Sequence, residues 1–448
     1  MKRYDPRVSS GSYRWYVVGI LAVVYAVNVM DRALVNILQE EIKRDLHLTD
    51  SQLGMLTGLS FAVFYATLAV PIARFADRSN RVFVLCVCLV LWSLMTAGCG
   101  IATGFVTLLL FRMGVGVGEA GGYPPSAAAL SDYFSKDRRA TALAIFGLGA
   151  PIGSTFGLFA AGMLHDLVGW RGAFVVAGLI GLLLAPLVLF TVREPQRGVS
   201  DEGEETVAGA PAPSLLQVAT VLWRLKAIRY LYLANMFHGF ALYAHGSWMP
   251  PFYARTFGMH TSQIAFWLGL LSIFGAVGTF AGGVLADRLG KRDPRWRIWI
   301  LALASVIMTP LAIAQFLAPS WELSLVFAIG PALLLTFFVA PTIAMGQTLV
   351  LPHMRATTAA IMLMMYNIFG LGLGPLFVGV LSDYFGNSLG LGPNALRYAV
   401  IAGLLVEVVT VVFYFLSARA LPKDLARDRS QDFAPAAQAT RVIPARVM

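Results

Sequence analysis

Twelve stretches of this 448-residue chain are long and apolar enough to cross a bilayer, which decides the class of fold before any motif is read. A helix needs about 20 mostly apolar residues to span the hydrocarbon core. Inside that core every backbone polar group must be satisfied within its own segment, so spans of this length are helices and not strands. The predicted spans are 14–38, 51–73, 81–102, 105–128, 139–162, 171–193, 228–254, 262–286, 297–317, 322–346, 356–381 and 396–418. Composition agrees: 58% of residues are hydrophobic and 13% charged, where a soluble domain carries about 25% charged residues. The net charge of +10 is spread in short clusters between apolar segments, a topology signal and not a nucleic-acid surface. Cys86, Cys88 and Cys99 share one span without metal-type spacing, so no metal or cofactor is expected.

Positive loops stay cytoplasmic. Of the 34 Lys and Arg, 27 fall on the side that carries both termini, five on the other (Lys43, Arg44, Arg171, Arg255, Arg397) and two within spans. The expectation is a multi-pass membrane protein with both termini cytoplasmic. The acidic, Pro- and Gly-containing stretch 194–227 reads as a linker between helical bundles at 1–193 and 228–420, and 421–448 as a polar, disordered tail. The bundles echo each other. Pro125, Arg139-Ala140-Thr141 and Asp166 recur about 216 residues later as Pro341, Arg355-Ala356-Thr357 and Asp383, and Ala76-Asp77-Arg78 recurs as Ala286-Asp287-Arg288. The expected fold is all-α: two pseudo-symmetric six-helix bundles, an arrangement that resembles the major facilitator superfamily, whose substrate site lies between the halves near mid-membrane.

Charges inside an apolar span carry the most functional information. Asp31 and Arg32 on the first span and Arg112 on the fourth sit about seven residues from the outer ends of their helices, which at about 1.5 Å per residue puts them at one depth. Glu119 follows Arg112 by two turns on the same helix face. Each such charge costs roughly 2.5–3.5 kcal/mol at the centre of a membrane helix, so the four are expected to pair beside an aqueous cavity. A purely structural ion cluster is the blander reading. In the functional one, Glu119 and Asp31 carry protons while Arg32 and Arg112 hold them or an acidic substrate: when a substrate captures the Arg, the desolvated acid takes up a proton.

Other groups are candidates on thinner grounds. Arg74-Phe75-Ala76-Asp77-Arg78-Ser79-Asn80-Arg81 and its twin around Asp287 and Arg288 resemble the superfamily's cytoplasmic gating motif; a carboxylate beside a helix N-terminus and Arg side chains can latch a gate. Gly147, Gly149, Pro151, Gly153 and Gly157 give the fifth span a small-residue face. His238 and His245 share a face of the seventh span, where pH sensing competes with ordinary packing. Glu407 stands without an evident partner in the last span and is read as protonated or structurally paired. Tyr123, His245, Met365 and Asn367 complete the expected substrate-binding set, Met packing without strict shape demands.

Five segments narrow the comparison: Asn28-Val29-Met30-Asp31-Arg32, Leu48-Thr49-Asp50-Ser51-Gln52-Leu53-Gly54, Asp77-Arg78-Ser79-Asn80-Arg81, Arg112-Met113-Gly114-Val115-Gly116-Val117-Gly118-Glu119-Ala120 and Ala150-Pro151-Ile152-Gly153-Ser154. Together they resemble the spinster (Spns) lipid transporters, with Gly246-Ser247-Trp248-Met249-Pro250 similar in the second half. The resemblance implies a proton-coupled transporter of a lysophospholipid or a sphingosine-1-phosphate-like lipid, a monomer, with Asp31, Arg32, Arg112 and Glu119 at the family's charged positions. Anion–cation symporters for sugar acids share the Asp-Arg and the Gly-x-x-Glu-Ala stretches, so small organic anions remain an alternative substrate class. A membrane enzyme is disfavoured by the lack of a metal spacing, nucleophile elbow or nucleotide loop; a non-transporting solute sensor stays open.

Overall fold

The computed structural model describes residues 11–195, 215–351 and 354–427. The chain runs through α1 (Gly11–Leu46), α2 (Asp50–Arg78), α3 (Arg81–Gly100), α4 (Phe105–Tyr133), α5 (137–168), α6 (170–191), α7 (Lys226–Phe257), α8 (Thr261–Gly290), α9 (Trp296–Leu317), α10 (Trp321–Thr348), α11 (Thr357–Asn387) and α12 (Gly392–Leu425). Helices α5 and α6 run on with their only non-helical residue at Gly169, whose φ of +69° suits glycine. Helix α7 has the length to span, 32 residues, but is more polar than its neighbours, with Asn235, His238 and His245 buried in it. Of the expected linker at 194–227, residues 196–214 lie outside the described set, and Leu215–Arg224 forms a short helix. Helix α12 runs to Leu425, five residues into the stretch read as tail.

The duplication is visible in the irregularities. The helix relaxes at 120–122 in α4 and at 335–338 in α10, matched places in the two halves. Wide π-turns occupy Met55–Leu59 in α2 and Tyr366–Leu373 in α11. Such turns recur at functional sites. The small-residue face of α5 packs on α1: a Cβ on Gly153 would stand 2.2 Å from the Ala26 carbonyl, closer than any real contact.

Three apolar cores show how the halves meet. One joins both halves, with Leu34, Leu38 and Leu53 packed with Trp248, Phe252 and Val378. It lies at the end of the bundle opposite the chain termini, called here the far end. Toward the termini the cores lie mainly within one half each, one around Leu85, Trp92 and Phe146 that takes in Leu371 and Tyr243 from the other half, and one around Leu231, Leu301 and Phe337. The molecule is therefore shut at the far end and divided at the terminal end.

Buried polar groups staple the C-terminal half. Asn235 Oδ1 accepts from Tyr414 at 3.0 Å and from Thr342 at 3.3 Å. Glu407, unpaired in the sequence, meets His238: Nδ1 lies 2.8 Å from Oε1, while Nε2 lies 2.9 Å from the Leu335 carbonyl. A carbonyl only accepts, so Nε2 carries a hydrogen, and two groups facing at 2.8 Å then need one proton between them. With both residues buried, His238→Ala is expected to leave a stranded carboxyl group and cost about 3–5 kcal/mol. Joint replacement by His238→Phe and Glu407→Leu should restore most of the lost melting temperature, measured in detergent.

Candidate functional site

The charged residues of α1 and α4 converge where the two halves separate. Successive helical residues point about 100° apart, so Asp31 and Arg32 leave α1 in different directions. Asp31 turns inward to α3, where Thr96 Oγ1 donates to its Oδ2 at 3.0 Å. Arg32 turns to α4 and the cavity: its Nε meets Glu119 Oε2 at 2.7 Å, and its Nη2 donates to Asn28 Oδ1 at 3.2 Å. Phe61 and Tyr65, one turn apart on α2, lie 4.7 and 4.6 Å from the same guanidinium. Arg112 is over Phe61 at 5.5 Å. Cation–π contact of this kind gains strength where water is excluded.

Of the four charges expected to pair with one another, Arg32 and Glu119 do so, and Arg112 has no carboxylate within 4.0 Å among the described residues. Helix rise gives depth but not rotation, and rotation made the choice. Asp31 Oδ1, Glu119 Oε1 and Arg112 Nε are buried without a hydrogen-bond partner. Unsatisfied groups at this density are costly, and they mark positions that a ligand, a proton or water would fill.

Arg112 and Arg32 line an open cavity together with Val35, Asn36, Thr57, Phe61, Tyr243 and Leu371. The N-terminal half supplies its charge and the C-terminal half an aromatic and apolar wall. Tyr243 packs on Tyr366 at 5.7 Å, and Tyr366 on Phe338 at 5.3 Å. Tyr123 is half-exposed in a second aromatic group, 5.4 Å from Tyr25 and 5.3 Å from Phe146. Met365 packs into the C-terminal core, and Asn367 lies half-buried in the π-turn of α11; neither borders the cavity. His245 is also elsewhere. It is buried with Nε2 2.8 Å from Gln315 Oε1 and its ring edge-on to Phe316, so it belongs to packing inside the C-terminal half. Sequence reasoning missed Phe61, Tyr65 and Tyr243; the four-residue spacing of the first two was the available signal.

The residues of the gating motif divide. Arg74, Asp77, Arg78, Asp287 and Arg288 are exposed at the terminal end. Arg81 is buried and bonds inside its own half, to Asp132 at 2.5 Å, Glu194 at 2.9 Å and the Ala128 carbonyl at 3.0 Å. A charge network that crosses between the halves sits at the far end and was not foreseen. Asp50 takes both terminal nitrogens of Arg255 at 2.7 and 2.8 Å, Lys43 Nζ at 2.6 Å and the Ser382 hydroxyl at 2.6 Å, while Arg255 Nε reaches Glu40 at 2.8 Å. Its signal was that Lys43 and Arg255 are among the five cations on the positive-poor side.

Two halves joined at one end, with ionised groups at their mid-depth seam, fit the sequence comparisons. The Major Facilitator Superfamily profile matches residues 21–371. The chain belongs to that superfamily. It is 35% identical over 431 residues to an MFS-type efflux pump of Mycolicibacterium smegmatis, covering 94% of this chain and 96% of that one. It is similar to the crystal structure of a bacterial homologue of the human lysosomal transporter spinster, inward-facing and unoccupied, with a TM-score of 0.86, 31% identity, and coverage of 93% and 99%. A hexuronate transporter of Bacillus subtilis is 27% identical over 288 residues, 62% of this chain and 66% of that one. The chain is thus a spinster-like, multi-pass membrane transporter of the superfamily.

The geometry separates the two arginines by experiment. Arg32→Gln should lower the melting temperature of the ligand-free protein, by the equivalent of about 3 kcal/mol, because Glu119 loses its cation. Arg112→Gln should change it little yet remove the stabilisation that an added anionic ligand gives, read by thermal shift.

Proposed function

We propose that this protein is a proton-coupled secondary transporter of an amphipathic anionic lipid, lysophospholipid or sphingosine-1-phosphate-like, working by alternating access as a monomer in the inner membrane of a bacterium. The observation that carries the reading is the division of the cavity wall. Arg32 and Arg112 stand on one side and Tyr243 and Leu371 on the other. Guanidinium groups match a phosphate by planar, two-point hydrogen bonding, and an aromatic wall with few donors suits an acyl chain better than a sugar. With both termini cytoplasmic, the divided end faces the cytoplasm and the far end the outside.

Coupling follows from the Arg32–Glu119 contact at 2.7 Å. An anionic head group entering beside Arg112 competes for Arg32. Glu119, released from its cation in a buried site, then takes a proton. Asp31, held by Thr96, is the second carboxylate and the reserve acceptor on the same helix as Arg32. Tyr123 would line the route from the terminal end, with Arg74, Asp77, Arg78, Asp287 and Arg288 forming the inner gate once that end closes. A second reading, transport of small organic anions, is favoured by the likeness to a hexuronate transporter and by the polar Asn36 and Thr57 in the cavity lining.

Proteoliposomes test both. Labelled lysophospholipid should show saturable flux that an imposed pH gradient accelerates, with small organic acids competing weakly; a preference for the acids favours the second reading. Glu119→Gln should cut gradient-driven flux by about tenfold or more while exchange without a gradient persists, because the neutral amide cannot load a proton.

A further inference from the structure

The far end is closed by two copies of one joint, built from segments that the internal duplication repeats. Gly162-Met163-Leu164-His165-Asp166 ends α5, and Gly379-Val380-Leu381-Ser382-Asp383 occupies the matched place in α11. Each faces the first turn of a helix from the other half. Asp383 accepts from the backbone N–H of Asp50 at 3.0 Å, from the N–H of Ser51 at 2.8 Å and from the Ser51 hydroxyl at 2.5 Å, all at the start of α2. Asp166, an exposed carboxylate, stands at the matched place beside Ser262 at the start of α8, without the backbone bonds that Asp383 makes. The receiving turns are repeats as well, Asp50-Ser51-Gln52-Leu53 and Thr261-Ser262-Gln263-Ile264, so Ser51 and Ser262 occupy the same place in their respective halves.

The glycine four residues before each Asp explains the reach. A Cβ on Gly379 would stand 2.3 Å from the Asp50 carbonyl and 3.2 Å from Ser51 Cα; one on Gly162 would stand 3.0 Å from Ser262 Cα and 2.6 Å from Ala265 Cβ. The helices therefore touch backbone to backbone one turn before each carboxylate, and the Asp383 carboxylate lies over the open N–H groups of the facing turn. The Asp383 bonds tie the C-terminal half to the N-terminal half across the shut far end.

We propose that the two Gly-x-Leu-x-Asp segments are a duplicated clasp that holds the far end closed, Asp383 and Asp166 being positioning residues for alternating access that let go of α2 and α8 when that end opens. The two clasps differ in their company. The Asp383 clasp borders Asp50, Lys43, Arg255 and Ser382. The Asp166 clasp borders Glu41, with His165 standing where Ser382 stands in the other, 3.9 Å from Glu41 and 3.3 Å from Asp166.

This rests on the alternating-access reading, and its test needs no substrate. Ser247, buried at the seam where its carbonyl accepts from Gln39 at 2.6 Å, is replaced by Cys as a reporter; the three native cysteines are buried. A membrane-impermeant maleimide is applied from the far side of sealed vesicles. Asp383→Ala should raise the labelling rate about tenfold, the equivalent of about 1.4 kcal/mol, Asp166→Ala should raise it by less because that carboxylate is exposed, and Asp383→Glu should keep it low. Ser51→Ala, which removes one of three bonds and no charge, should give a smaller rise and guards against an Ala variant that fails to insert. If Arg255→Ala raises labelling and none of the clasp variants does, the clasp is wrong while alternating access stands. If no variant raises it, alternating access fails along with the clasp.

Discussion

A carboxylate and a guanidinium held 2.7 Å apart at mid-membrane depth set the terms for everything around them. Taking ions out of water costs several kcal/mol each after relaxation, and a lipid-facing position would offer no return. The remaining arrangement seats them on the seam between two bundles, with side-chain hydroxyl, amide and ring partners supplied by α1, α2 and α3. Asn28 and Thr96 satisfy part of the demand, and Phe61 and Tyr65 shield the cation. The demand left over, on Arg112, Asp31 and Glu119, makes the cluster responsive instead of inert.

The division of the cores gives that responsiveness a mechanical outlet. One apolar core is common to both halves at the far end and the cores toward the termini lie mainly within one half each, the arrangement that the proposed rocking of the halves about the site would use. Packed interiors resist gradual deformation, so the change is carried by polar contacts that are either made or broken. The Asp50–Arg255 network and the paired carboxylate contacts at α2 and α8 are of that type. The π-turns of α2 and α11 adjoin the same seam, Met55–Leu59 against Tyr366–Leu373, and supply locally looser backbone there.

Much of this was legible in the residues. The spans were, since bilayer thickness sets a length that apolar runs must meet, and even the polar α7 was found because Asn235, His238 and His245 are dispersed among apolar neighbours. The four charges of α1 and α4 were, because an ion in an apolar run has no other excuse. Their pairing was not: depth follows from counting residues, but which guanidinium meets Glu119 depends on helix rotation, settled by packing of α1 on α5 through Gly153. His245 shared a helix face with His238 and still went to a different place, because Gln315 on α9 satisfied it. The far-end network draws on α1, α2, α7 and α11, each contributing an ordinary charge or hydroxyl near a helix end, so no single segment announces it.

The central claim is that an anion in the cavity transfers Glu119 from its cation to a proton. Difference infrared spectroscopy of the reconstituted protein, recorded with and without a lysophospholipid in light and heavy water, reads that step directly. The account predicts a new, deuterium-sensitive band of a protonated carboxyl group on ligand addition, absent from Glu119→Gln. Ligand binding with the carboxylate band of the wild type unchanged would contradict it.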